Sequence, residues 1–85
     1  MESYEIVFKK SVSKDLKKIP KKDVSKILKV IRSLAENPRP AQVKKLSGQE
    51  RYRMRQGNYR ILYAIEDDKL VITVVKVGNR RDVYR

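Results

Sequence analysis

The pair Gly57-Asn58 stands between two runs of alternating character, Arg51 to Gln56 and Tyr59 to Glu66, and constrains this chain more than any other feature. A two-residue turn of this kind joins antiparallel strands and sets their register, because glycine enters the left-handed region without steric cost. The expected partners are Gln56 with Tyr59, Arg55 with Arg60, Arg53 with Leu62 and Tyr52 with Tyr63. Strand alternation then defines two faces. Tyr52, Met54, Ile61 and Tyr63, extended by Ile65, Leu70, Ile72 and Val74, make a face for helices to cover. Arg51, Arg53, Arg55 and Arg60 lie on the other, beside Leu62, Ala64, Val71, Thr73 and Val75. Arginine opposed to arginine is unfavourable by itself, so the pattern points to an anion on the open face.

The remaining elements complete an α+β chain. Tyr4, Ile6 and Phe8 share one side of a first strand. Ser11 and Ser13 are N-cap candidates for a short helix through Leu16 to Ile19, which Pro20 stops. A second helix begins near Lys21 to Asp23, with Val24, Ile27, Leu28, Ile31, Leu34 and Ala35 at helical spacing, and ends at Asn37-Pro38. Arg39 to Gln49 reads as a loop anchored by Leu46 and turning at Ser47-Gly48. Lys69 to Val77 supplies a last strand after a turn at Asp67-Asp68. The expected fold is a two-layer sandwich of order β-α-α-β-β-β, an antiparallel sheet with two helices on one face, formed by residues 1–85 as a single domain. Tyr52, Tyr59 and Tyr63 fall on the core side and are expected to pack rather than to stack on bases.

Composition narrows the partners. The 85 residues include 22 Lys and Arg against 10 Asp and Glu, a formal charge of +12, which favours polyanions. The basic residues are unevenly divided: residues 1–50 hold eleven Lys and two Arg, residues 51–85 seven Arg and two Lys. Arginine offers phosphate a rigid fork, lysine a mobile point charge, so the halves are expected to act differently. Cys and His are absent, which removes disulfides, thiolate or imidazole metal sites and the usual neutral-pH base. No metal or cofactor is expected. The N-terminus lacks the pattern of a signal peptide and no apolar run approaches the roughly 20 residues of a membrane span, so a cytoplasmic location without membrane partners is expected.

The hairpin Tyr52-Arg53-Met54-Arg55-Gln56-Gly57-Asn58-Tyr59-Arg60-Ile61-Leu62-Tyr63 resembles the "YR-x-R-x-G-x-YR-x-x-Y" pattern of the RelE/ParE toxin superfamily. Val77-Gly78-Asn79-Arg80-Arg81-Asp82-Val83-Tyr84 resembles its "VG-x-R-x-x-x-Y" tail. Phe8 before a basic helix, Asn37-Pro38, and Lys45-Leu46 with Gly48 extend the likeness over nearly the whole chain. For the RelE branch the resemblance implies a toxin that cleaves mRNA on the ribosome and is silenced by an acidic antitoxin. Carried over by position, the catalytic set is Arg53, Arg55, Arg60, Arg80 and Tyr84. The implied reaction is attack of a ribose 2′-OH on the adjacent phosphate, leaving a 2′,3′-cyclic phosphate and a 5′-OH end without a metal.

These residue types suit charge stabilisation better than proton transfer. A fork of arginines can hold the equatorial oxygens of a phosphorane. Arginine is a poor base, and Tyr84, with an ordinary pKa of ~10 that nearby cations would lower, is the better candidate, either as base or as stacking surface. Arg51, Arg81, Lys14, Lys17, Lys18, Lys21 and Lys22 are expected to contact or attract RNA, and the expected partners are the antitoxin and the ribosomal A site with its mRNA and rRNA. Two alternatives stand beside this reading: a ParE-like inhibitor of DNA gyrase, and an antitoxin-binding relative with weak catalysis.

Overall fold

A computed structural model describes residues 3–46 and 51–80. Its elements are β1 (Glu5–Phe8), α1 (Lys10–Lys17), α2 (Lys21–Ser33), β2 (Lys44–Lys45), β3 (Arg51–Gln56), β4 (Tyr59–Glu66) and β5 (Val71–Asn79). The five strands form one mixed sheet of order β1-β5-β4-β3-β2. The fold class is the α+β arrangement expected, with two refinements.

First, β1 pairs with β5 in parallel, whereas β2 to β5 are antiparallel. The chain path explains this. Beyond α2 the chain is back at the start of β1, where the Tyr4 N–H donates to the Ala35 carbonyl at 2.8 Å. The meander therefore sets out in the direction of β1, and its third strand must point that way again. Second, Lys44–Lys45 pair with Arg53 and Tyr52 inside the stretch expected to be loop. The Ser47-Gly48 turn lies outside the described residues.

The helices differ from expectation at their ends. α1 begins after Lys9, so Ser11 and Ser13 are helical residues rather than caps, and the Ser13 hydroxyl donates back to the Lys10 carbonyl. Pro20 separates the helices and its carbonyl accepts from Asp23 and Val24 at 2.9 and 3.0 Å, which starts α2. α2 ends at Ser33, ahead of Asn37-Pro38, in a tightened turn where Leu34 and Ala35 bond to carbonyls three residues back.

Val12 of α1, Ile27 and Ile31 of α2, and Leu34 meet Tyr52, Met54, Ile61, Tyr63, Ile65, Ile72, Val74 and Val77 in one buried cluster. Each fully buried branched aliphatic of this kind contributes about 1.5–3 kcal/mol. The sheet residues alternate as expected until a bulge in β5: Tyr63 pairs with Val74 but Leu62 with Lys76, leaving Val75 as the extra residue. The bulge reverses parity, so Val77 enters the core and Lys76 joins the open face. The β4–β5 connection is also longer than a two-residue turn, spanning residues 67–70 with Leu70 at φ 55.

At the end of the sheet where β1, β3 and β5 begin, Arg39 clasps Asp67 through two hydrogen bonds of 2.9 and 3.2 Å. Tyr4 donates to the same carboxylate at 2.7 Å, and the Arg39 Nε donates to the Tyr52 hydroxyl at 3.2 Å. The Arg39 guanidinium and the Tyr4 hydroxyl hold the Asp67 carboxyl below its ordinary value.

Candidate functional site

The hairpin has the expected register throughout, including Arg55 beside Arg60, and Gly57 takes φ +59. Three rows of neighbours cross the open face. Arg55, Arg60 and Gly78 form the row nearest the turn; Lys44, Arg53, Leu62 and Lys76 form the next alternate row; Arg51, Ala64 and Thr73 lie further along. The first two rows contain no acidic residue. Arg80 joins the turn end, its N–H donating to the Asn58 carbonyl at 2.9 Å. At the opposite end, Glu66 and Glu5 flank Val71. The open face is thus electropositive at the turn and acidic at the far end.

Arg55, Arg60 and Arg80 are brought together, with Arg53 one alternate row away. Arg51 is four residues along β3 from Arg55, roughly 13 Å at strand rise, and belongs to the margin. Arg60 is only 6% exposed, whereas Arg55 and Arg80 are exposed. Gly78 contributes no side chain beside it, and the weakly hydrated guanidinium is the cation best suited to such a place. A buried cation in register with an exposed one is chemically apt for a phosphate, because the buried member has little freedom left to lose on binding. Arg81 and Tyr84 lie outside the described residues.

The helical lysines converge on the same end. Asp15, Lys18 and Ile19 line a hollow with Tyr59, Lys76, Val77, Gly78 and Asn79. Asp23 and Lys26 border another with Gln56, Gly57, Asn58 and Tyr59. The α1–α2 junction, carrying exposed Lys17, Lys18, Lys21 and Lys22, therefore sits beside the hairpin turn, and Lys14 follows one helical turn back along α1. Lys44 and Lys76 were missed as members of the basic face. Lys76 had a signal, since unbroken alternation from Ile72 and Val74 would have driven its ammonium into the core.

The described tyrosines are structural, as their parity implied. Tyr52 and Tyr63 stack at 5.8 Å between centroids, and Tyr63, buried, donates to the Pro38 carbonyl at 2.8 Å. Burial raises the Tyr63 pKa further above its ordinary value. Desolvation, with a hydrogen bond to Asp23 at 3.2 Å, raises that of Tyr59. Neither is placed to ionise and serve as a base. Among the described residues no group of three or more carboxylates could hold a metal ion.

Two helices on a five-strand mixed sheet are the fold of the RelE toxins. The match to the ParE toxin of the type II toxin–antitoxin system parDE runs over residues 6–84, and the chain belongs to this family. It is 31% identical to the putative toxin RelE1 of Methanocaldococcus jannaschii, covering 96% of each chain. It is 28% identical to the toxin RelG of Mycobacterium tuberculosis, covering 96% of this chain and 97% of that one. The archaeal RelE–RelB complex of Pyrococcus horikoshii contains a chain superposing with TM-score 0.84, at 30% identity over 95% of this chain and 99% of that one. Isolated RelE of E. coli gives 0.80 at 26% identity, with coverage of 96% and 92%. The protein is a RelE-like toxin of a toxin–antitoxin system.

Proposed function

We propose that the chain is a ribosome-dependent mRNA endonuclease, kept inactive by an acidic antitoxin and acting in the cytoplasm. The observation that supports this most is the convergence of Arg55, Arg60 and Arg80 with the lysine-rich helix junction at one end of the molecule. A translated message threaded past this end meets cations for its backbone and a fork for the scissile phosphate. Arg55, Arg60 and Arg80 stabilise the phosphorane, Arg53 steers the neighbouring phosphate, and Tyr84 is the candidate base for the 2′-OH. Arg51 and Arg81, with Lys14, Lys17, Lys18, Lys21 and Lys22, hold the RNA. The antitoxin is expected to be acidic because a +12 surface is best covered by opposite charge.

Mapping mRNA 5′ ends during brief expression tests the reading: new ends within translated frames, absent when initiation is blocked, are expected. Tyr84→Phe separates proton transfer from stacking, since it keeps the ring and loses the hydroxyl. The second reading, inhibition of DNA gyrase, draws on the ParE name of the family match. It requires gyrase-catalysed supercoiling to fall while messages stay intact.

A further inference from the structure

The bulge in β5 also decides where positive charge falls on the open face. With Val75 as the extra residue, Lys76 stands opposite Leu62, and its row reads Lys44, Arg53, Leu62, Lys76 from β2 to β5. The row beside it reads Arg55, Arg60, Gly78 from β3 to β5. The two rows lack charge at different strands, the first at Leu62 on β4 and the second at Gly78 on β5. Arg53 and Lys76 therefore flank the half-buried Leu62, two inter-strand spacings or roughly 9.5 Å apart, a gap that two long side chains can close over one tetrahedral anion. Among the described residues no ion pair holds Lys76.

We infer that Leu62, with Arg53 and Lys76 on either side, is the floor of a second phosphate subsite, so that consecutive phosphates of one RNA strand run along β4 over Arg60 and Leu62. The inference rests on the reading that the partner is RNA, and it adds a binding residue, Lys76, and a length to that reading. Arg60 and Leu62 are separated by two residues of strand rise, roughly 6.6 Å, which suits the step from one phosphate to the next in an extended single strand. At the next alternate position, Ala64 has Arg51 on one side and Thr73 on the other, and beyond it Glu66 stands opposite Val71. The positive track thus thins to one cation and ends at a carboxylate, so it holds two phosphates and rejects a longer run. Because the strand is continuous, the second phosphate belongs to the same molecule as the one over Arg55 and Arg60, and that molecule is the message.

The test begins without ribosomes. Amide NMR of the whole chain is followed during titration with uridine 3′,5′-bisphosphate, whose two phosphates lie one nucleoside apart. Uridine 3′- and 5′-monophosphates supply one phosphate each, and pyrophosphate supplies two that are too close together. The bisphosphate is expected to shift Arg60, Leu62 and Lys76 and to bind roughly tenfold more tightly than the other three, the gain of one charge-assisted hydrogen bond. Lys76→Ala should remove that advantage while monophosphate binding and Tm stay as they were, and Lys76→Arg should restore it. Lys69→Ala, which deletes an exposed cation beside Glu66 at the far end, should change nothing. Pyrophosphate binding as tightly as the bisphosphate overturns the subsite, and so does an equal loss in Lys76→Ala and Lys69→Ala. A chain that prefers the bisphosphate yet leaves translated messages intact would sink the endonuclease reading and keep the subsite; cleavage without that preference would do the reverse. On ribosomes, Lys76→Ala should slow single-turnover cleavage with ribosome binding close to wild type. Weakened ribosome binding at an unchanged cleavage rate would assign Lys76 to rRNA and overturn the track along β4.

Discussion

The two ends of the sheet both use arginine, and they use it in opposite ways. Where β1, β3 and β5 begin, Arg39 is matched by Asp67, with Tyr4 and Tyr52 completing its contacts. At the hairpin turn, Arg55 stands directly beside Arg60, in a row with no carboxylate. The first arrangement is self-sufficient and joins four segments distant in sequence. The second sets like charges side by side across β3 and β4, which favours the arrival of an anion. The comparison separates arginine as a fastener of the fold from arginine as a receptor.

The largest effect should come from the receptor end. Arg80→Ala, at an exposed position, should lower the rate of translated-mRNA cleavage by ~10²–10³ while the melting temperature stays put. A loss of stability with little loss of rate would place Arg80 with the fasteners. Next is salt. Affinity for RNA should fall with a log–log slope near −0.7 per phosphate contact, and each Lys or Arg to Ala change at the turn end should make the slope shallower. Arg39→Ala should leave the slope as it is, and a matching change there would erase the distinction between the ends.

Smaller is the cost of altering the turn itself. Gly57 has φ +59 with open space where a Cβ would stand, so Gly57→Ala carries backbone strain alone, about 1 kcal/mol, readable by denaturant unfolding. The smallest effect belongs to Asp67. Its folded-state pKa lies below its ordinary 3.8 because Arg39 and Tyr4 donate to the carboxylate. The unfolded chain therefore takes up this proton first, and the stabilisation, complete well above pH 3.8, fades as pH falls through that value toward the folded pKa. Asp67→Asn should flatten that part of the acid limb and leave cleavage untouched. Solvent screening at this exposed pair keeps the change modest.

Legibility in the sequence followed range. The β3–β4 register was readable because a two-residue turn dictates it locally, and with it the common face of Arg53, Arg55 and Arg60. The core stripe of α2 was readable from spacing. The parallel pairing of β1 was not, since it depends on where two helices return the chain. The Arg39–Asp67 clasp joins residues 28 positions apart with no pattern to mark either. The sealing of Arg60 depends on its surroundings in three dimensions, and the β5 bulge hid between two adjacent valines, betrayed only by Lys76.

The parallel pairing of β1 with β5 also has a temporal consequence. Glu5 pairs with Val71 and Phe8 with Val74, so the first strand to leave the ribosome has no place in the sheet until nearly the last is made. The helices and the three-strand meander are local and can form early; β1 closure joins distant segments and is the slow, high-contact-order step. A nascent chain thus carries an unpaired β1 through the synthesis of everything up to β5, at roughly 5–20 residues per second.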